Sequence, residues 1–125
     1  MNARITSLLS NLRTENNAAK KIGLSVEDGF YFEEMKNIMY IEASGSYTIV
    51  FIKGRNKQLV AKSLKEFEDI LPDTFFCRVH HSYIINIGFI KTYYKGRGGY
   101  VEMEDGTSIA ISVRKREYFL EKFMH

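Results

Sequence analysis

The sequence is poor in the residues that mark secreted, disulfide-linked or membrane-embedded proteins. Its 125 residues include one cysteine, one proline and no tryptophan. A lone cysteine excludes a disulfide within the chain and is typical of a reducing compartment. No stretch approaches the roughly 18 uncharged apolar residues that a membrane-spanning helix requires, and the N-terminus lacks the apolar block of a signal peptide. These features predict a cytoplasmic protein with no membrane partner.

Charge is also unevenly distributed along the chain. The formal net charge is only +3, and 45% of the residues are hydrophobic, which indicates one folded domain rather than a disordered chain. Residues 1–75 contain ten Lys and Arg and ten Asp and Glu, whereas residues 76–125 contain eight and five. This asymmetry indicates a basic face for a polyanion, with an evenly solvated surface as an equally good interpretation.

The first residues differ in pattern from the rest. Ile5, Leu8, Leu9 and Leu12 recur at helical spacing, which predicts a short amphipathic helix and divides the chain into a helix and linker over 1–21 and a domain over 22–125. A helix of this length is not stable alone in water. It must therefore pack on the domain, on a second copy or on an upstream domain.

From Ile22 onward the pattern changes to short alternating strands separated by turns. Ser63 and Glu66 form a capping box at the start of a helix that Pro72 ends, and Ser112 is a candidate N-cap for a helix over 113–123. The sequence predicts a mostly β fold of antiparallel sheets, stacked or sandwiched, with two or three short helices. Strands are predicted at residues 22–26, 30–32, 38–43, 47–52, 58–61, 90–94, 100–103 and 108–112.

The run FCRVHHSYIIN, residues 76–86, carries more polar side chains than the interior of a strand usually tolerates. We interpret it as a strand that leads into a functional corner. Cys77 and His80 do not suit a catalytic dyad, because residues three apart on a strand point to opposite faces. A buried, inert cysteine is the favoured interpretation.

The sequence gives little support for a metal, cofactor or dedicated phosphate-binding site. Cys77, His80, His81 and His125 lack the spacing of a zinc site, and His80 and His81 diverge if the strand continues through them, so no metal or cofactor is expected. The turn KGRGG, residues 95–99, matches no phosphate-binding fingerprint and is best explained by glycines at positive φ, although its basic residues could touch a phosphate. The cluster Arg114, Lys115 and Arg116 at a helix start would be stabilised by a phosphate, with ordinary solvated charges as the alternative.

Three separated blocks closely resemble the LytTR family of bacterial DNA-binding domains: IMYIEASGSYT (38–48), SLKEFEDILPDTFFCRVHHSYIIN (63–86) and DGTSIAISVRKRE (105–117). The resemblance extends over about residues 22–123. It implies an elongated fold of antiparallel β-sheets whose loops enter successive major grooves of a bent duplex. It also implies base contacts from Tyr47, His81 and Arg114.

The remaining site residues follow from the chemistry of the side chains near these loops. Arg114 has the fork geometry that reads guanine, whereas His81 stands where the family often has Arg, and its charge depends on pH. His80 and Asn86 are expected to order loops. Phosphate contacts are expected from Lys62, Ser63, Lys115 and Arg116.

The predicted function is sequence-specific binding of double-stranded DNA for transcription regulation, without enzymatic activity. The family resemblance implies an output domain of a two-component response regulator, with an upstream receiver domain, a sensor kinase and a homodimer on direct-repeat sites. The chain is then a stand-alone regulator or, as we favour, a C-terminal piece of a longer one. The alternative is a protein-interaction β-module that uses the same polar corner, and a hydrolase that uses Cys77 is remote.

Overall fold

Antiparallel strands dominate residues 21–124, which are the residues that the computed structural model describes. The predicted helix at residues 5–12 lies outside this range. The strands are β1 Lys21–Val26, β2 Gly29–Glu34, β3 Ile38–Ser44, β4 Tyr47–Ile52, β5 Gln58–Val60, β6 Phe76–His80, β7 Tyr83–Asn86, β8 Ile90–Tyr94, β9 Tyr100–Met103 and β10 Ser108–Ala110. The helices are α1 Leu64–Ile70 and α2 Val113–Phe123, with 3-10 turns at Met35–Asn37 and Ile87–Phe89. The predicted mostly β fold is confirmed.

The strands form three sheets. The pair β1–β2 is one, the set β10–β9–β8 is another, and the largest has the order β5–β4–β3–β7–β6. Every pairing is antiparallel, and β3 joins two hairpins by pairing with both β4 and β7. The central pairing of β3 with β7 matches residues more than 40 positions apart, as in Ile41 with Ile84.

The five-stranded sheet is buried on both faces, so two separate cores hold the molecule together. One face packs against β1–β2 and α1 through residues such as Leu24, Ile41 and Phe67. The other packs against the three-stranded sheet and α2 through residues such as Val79, Val101 and Phe119. Because side chains alternate along a strand, neighbours such as Tyr40 and Ile41 enter different cores. The central sheet is therefore a rigid middle layer.

Helix α1 begins where the sequence predicts. The backbone N–H of Glu66 donates to Ser63 Oγ at 3.1 Å, which supplies one bond of the predicted capping box. The helix is shorter than expected, because Leu71 already has extended backbone angles before Pro72. Leu64 and Phe67 are its buried residues. This stripe anchors α1 against the central sheet.

The run 76–86 differs from its prediction. It is a hairpin of β6 and β7 rather than one strand ending in a corner, and its register is irregular between Arg78 and His80. The turn reverses the chain at His81 and Ser82, so its polar residues lie at the tip, where water or a ligand can satisfy them. The third sheet is held to the middle layer by Tyr40, whose hydroxyl bonds Asp105 Oδ2 at 2.8 Å and Thr107 Oγ1 at 2.9 Å. Within the described range, no helix is long and apolar enough to cross a bilayer.

Candidate nucleic-acid interface

One end of the five-stranded sheet collects the segments that the sequence singles out. Tyr47 at the start of β4 is paired with Ser44 at the end of β3. The β6–β7 turn lies beside this pair, because Ala43 N–H donates to Ser82 O at 2.8 Å. Helix α2 starts next to the same turn, since Ser112 N–H donates to Val79 O at 2.8 Å. We call this the loop end, defined by residues 44–47, 61–63, 80–83 and 112–115.

Antiparallel pairing produces this arrangement. Neighbouring strands run in opposite directions in the order β5–β4–β3–β7–β6. One edge of the sheet therefore contains the C-terminal ends of β5, β3 and β6 and the N-terminal ends of β4 and β7. Val60, the last residue of β5, is paired with Thr48, so Lys62 and Ser63 leave the sheet on this side as well. With strands about 4.8 Å apart, the loop end forms a row roughly 20 Å long.

The β6–β7 turn is held by an arginine that the sequence analysis did not assign. Arg78 Nη2 donates to His81 O at 2.8 Å, and its Nε approaches His80 O at 3.4 Å. Its Nη1 forms an ion pair with Glu68 Oε1 of α1 at 3.2 Å. The guanidinium therefore ties the turn to α1. The sequence contained a sign of this structural role, because Arg78 stands on a strand between Cys77 and Val79, which are both core residues.

The two neighbouring histidines of this turn differ in environment. His80 Nδ1 accepts the Ser82 N–H at 3.1 Å, and burial, together with the adjacent His81, lowers the pKa of His80. The ring of His81 lies 4.3 Å from that of His80 and is exposed. The two rings would diverge only if the strand continued through them, and this condition is not met, because the strand ends at His80. His80 shapes the turn while His81 faces outward.

The start of α2 presents Arg114 beside this turn. Ser112 occupies the N-cap position, but its hydroxyl makes no cap bond, and its carbonyl accepts the N–H groups of Lys115 and Arg116 at 3.0 Å. Arg114 is exposed and has no ion-pair or hydrogen-bond partner among residues 21–124. His80, His81, Arg114 and Lys115 line one depression. The structure thus brings two of the three predicted base-contacting residues together.

Tyr47 lies at the same end but in a different depression. Its side chain is 49% exposed, and Gly45 in the preceding turn has a φ of +62°, which suits glycine. The depression that it lines also includes Glu27 and Asp28 of the β1–β2 turn. Tyr47 is therefore two to three strands away from His81, about 10 to 15 Å, and has acidic neighbours.

The four predicted phosphate-contacting residues are not equally available. Ser63 Oγ already caps α1, and the Lys62 ammonium lies 5.7 Å from the centre of the Phe67 ring. Lys115 is half-buried beside Arg114, while Arg116 packs on the β8–β9 turn, where a Cβ added to Gly99 would lie 3.4 Å from Arg116 Nε. That Nε is buried without a hydrogen-bond partner in the described residues. Lys62 and Lys115 therefore have the freer charged atoms.

The β8–β9 turn also approaches the loop end. Ile111 N–H donates to Gly99 O at 3.1 Å, which brings exposed Lys95 and Arg97 close to the start of α2. Gly98 and Gly99 have φ of +90° and +68°, so the prediction of positive φ is confirmed for these two glycines but not for Gly96.

Asn86 lies at the opposite end of β7 and is buried. Its Nδ2 donates to Ile38 O at 3.0 Å, and its Oδ1 accepts the Gly88 N–H at 2.9 Å. These two bonds tie β7 to β3 and shape the 3-10 turn that follows. The position of Asn86 matches a loop-ordering role rather than a surface contact.

The environment of Cys77 does not suit a nucleophile. Cys77 is buried, and burial raises the pKa of its thiol to about 11, so the thiolate needed for nucleophilic attack is not formed near neutral pH. Between residues 21 and 124, no three His, Cys, Asp or Glu side chains are grouped to hold a metal ion.

Comparison with known proteins agrees with this geometry. Residues 28–124 match the family model of the LytTr DNA-binding domain. The fold is similar to a solved structure described as the LytTr DNA-binding domain of a methyl-accepting/DNA response regulator from Bacillus cereus, with a TM-score of 0.74 and 28% sequence identity. That match covers 84% of this chain and 97% of the other. No curated protein sequence matches the chain. The chain therefore belongs to the LytTr DNA-binding domain family.

Proposed function

We propose that this chain binds double-stranded DNA sequence-specifically and regulates transcription as the output domain of a two-component response regulator. The observation that supports this most is the loop end, where exposed Tyr47, His81 and Arg114 project from one side of a rigid sheet. A row about 20 Å long spans a little over half of the roughly 34 Å helical turn of a duplex, so its loops reach more than one point along the DNA, which a single pocket would not. Membership of a DNA-binding family supports the same conclusion.

In this proposal each loop has its own role on the duplex. Arg114 makes the bidentate contact to guanine O6 and N7, because its side chain combines the reach and the fork geometry with a guanidinium that has no partner among residues 21–124. His81 addresses a neighbouring base edge from the same depression. Tyr47 reaches a separate groove. The register on the phosphates is fixed by Lys62, Ser63, Lys115 and Arg116. Lys62 and Lys115 contribute most, because Ser63 Oγ already caps α1 and Arg116 Nε is buried.

We also propose a wider assembly, which membership of the family supports. We infer two copies on a direct-repeat site, an upstream receiver domain phosphorylated by a sensor kinase, and a cytoplasmic location. The similar domain from Bacillus cereus is described as part of a response regulator, which supports this inference.

The decisive experiment measures the affinity of the Arg114→Ala and Arg114→Lys variants for an oligonucleotide selected from a random pool. Loss of the guanine contact is expected to cost about 1 to 3 kcal/mol for Ala and to flatten discrimination at one base position. Lys keeps the charge but not the fork, so it should retain affinity for all sequences without restoring discrimination. Unchanged affinity and specificity in both variants would remove Arg114 from the interface.

A second measurement separates DNA binding from the protein-interaction alternative. The affinity of a DNA-binding domain falls steeply with salt, and Lys115→Ala should reduce the slope of log K against log salt by about one unit on every sequence. Glu117→Gln is a control on the same helix. An unaltered slope in Lys115→Ala would mean that this residue makes no phosphate contact, and absence of any salt-dependent DNA binding would favour the protein-interaction module.

A further inference from the structure

The outer face of the β1–β2 hairpin exposes two phenylalanines side by side. Phe30 is 69% exposed and Phe32 is 65% exposed. Gly23 is paired with Phe32, and a Cβ at Gly23 would lie 3.1 Å from Phe32 Cε1 and 3.7 Å from Phe30 Cδ1, so both rings cover this glycine. The opposite face of the hairpin is in the core through Ile22 and Leu24. Contiguous exposed aromatics of this kind mark an interaction surface.

We propose that residues 5–12 of the same chain form an amphipathic helix whose apolar stripe, Ile5, Leu8, Leu9 and Leu12, packs on Phe30 and Phe32. The stripe comes from the sequence, where these residues share one helical face. A helix this short gains stability only by burying that face. Packing the stripe on Phe30 and Phe32 would bury both apolar surfaces.

The chain has the reach that this contact requires. β1 begins at Lys21, and Gly23, two residues later, is paired with Phe32. The chain therefore enters the hairpin close to the exposed phenylalanines. Eight residues, 13–20, connect the stripe to Lys21. Fully extended they span about 28 Å, which exceeds the roughly 20 Å length of a six-residue strand. The helix can therefore lie anywhere along the face.

Charge also favours this occupant. The segment before β1 carries Arg4, Arg13 and Lys20 against the single acidic residue Glu15. The hairpin carries exposed Glu27 and Asp28 at its turn, whereas Glu34 at its other end pairs with Lys36 at 3.4 Å and lies opposite Lys21. A basic helix is electrostatically complementary to the acidic turn of the hairpin.

A second copy of the chain fits the face less well. Two strands of six residues present a strip about 20 Å long, with strand axes about 5 Å apart. The area of this strip is far below the roughly 800 Å² that each partner buries in a stable dimer. A helix of two to three turns matches a strip of that size.

The absence of tryptophan makes a direct test possible, because Phe32→Trp introduces the only indole into the full chain. With the native segment, we expect blue-shifted emission and weak quenching by acrylamide. Leu8→Asp with Leu9→Asp should shift the emission to the red and raise the quenching constant several-fold. Ser7→Asp with Ser10→Asp adds the same charge on the opposite side of the helix and should leave both signals unchanged.

Two further measurements keep the outcome decisive. Phe30→Trp repeats the experiment from the neighbouring position, and far-UV circular dichroism checks that each variant is folded. Shielding of the indole should be independent of protein concentration. An indole that is fully exposed in the parent chain, or equal responses to the Leu and Ser variants, would overturn the proposal. Shielding that disappears on dilution would assign the face to a second copy and overturn it equally.

Discussion

The two ends of the central sheet use polar residues in opposite ways. At the loop end, Arg114 and His81 are exposed. At the other end, the buried carboxylate of Glu33 on β2 contacts Asn37, which precedes β3, and Arg55, which follows β4, and we call Tyr31, Glu33, Asn37 and Arg55 the network end. The Glu33 carboxylate accepts bonds from Tyr31 Oη at 3.1 Å, Asn37 Nδ2 at 3.1 Å and its neighbour's N–H at 3.0 Å, and pairs with Arg55 Nε at 3.0 Å.

This difference separates recognition from stability. A polar group that is satisfied inside the protein holds the fold together but has nothing left for a ligand. An exposed, unpaired cation adds little to the fold and is available to a partner. We therefore expect substitutions at the network end to change the free energy of unfolding, and substitutions at the loop end to change affinity for DNA. Three predictions test this expectation, beginning with the largest effect.

Replacing Glu33 should destabilise the protein most. Glu33→Ala leaves Asn37, Tyr31 and a backbone N–H without their acceptor, and we expect the free energy of unfolding to fall by about 2 to 4 kcal/mol. Urea denaturation followed by circular dichroism measures it. Arg55→Ala should cost less, because the Arg55 side chain is 57% exposed and water replaces its contact. If folded Glu33→Ala bound DNA markedly more weakly, the separation of the two ends would be wrong.

Arg78 lies between these extremes, because it is a structural residue at the loop end. Arg78→Ala frees the carbonyls of His80 and His81 and loosens the turn, so we expect DNA affinity to fall by about 1 to 2 kcal/mol, since two bonds from a charged donor are lost. Glu68→Gln breaks the ion pair but keeps both carbonyl bonds, and it is the matched control with a smaller effect. Equal affinities for Arg78→Ala and the parent would show that the turn does not need this support.

The smallest expected effect is on the pH dependence of stability. Burial acts to raise the pKa of Glu33, but the bonds from Asn37, Glu34 N–H and Tyr31 and the charge of Arg55 outweigh it and hold the pKa below its ordinary value of 4.5. The unfolded chain therefore binds the proton more readily. The stability that Glu33 contributes is fully present above its ordinary pKa and is lost as the pH falls through the lower, folded value.

The Glu33→Gln variant tests this sign. Its melting temperature should fall less than that of the parent as the pH is lowered from 6 into the acid range below the ordinary pKa. Thermal denaturation at a series of pH values gives the comparison. Parallel curves for the two proteins would mean that the folded state does not favour the ionised carboxyl.

Local patterns in the sequence predict most of the elements. The alternation of apolar residues gave the strands, Ser63 with Glu66 gave the start of α1, and the glycines of the β8–β9 turn gave its reversal. The prediction was incomplete over residues 76–86, where the sequence indicated one strand leading into a corner and the structure has two strands joined by a turn. Alternation does not distinguish a strand that continues from one that turns back after His80, because both leave the same residues in the core.

What the sequence determined by itself is the short strands outside residues 76–86, the starts of α1 and α2 and the family, since these depend on local spacing and on motifs. Only the tertiary structure decided that the β3–β4 turn, the β6–β7 turn and the start of α2 share one end of a sheet. It also decided that Arg78 supports a turn while Arg114 stays free. Both outcomes depend on the pairing of β3 with β7 and on the packing of α2 against β6. Contacts between residues so far apart in the chain leave no periodic signal in either segment.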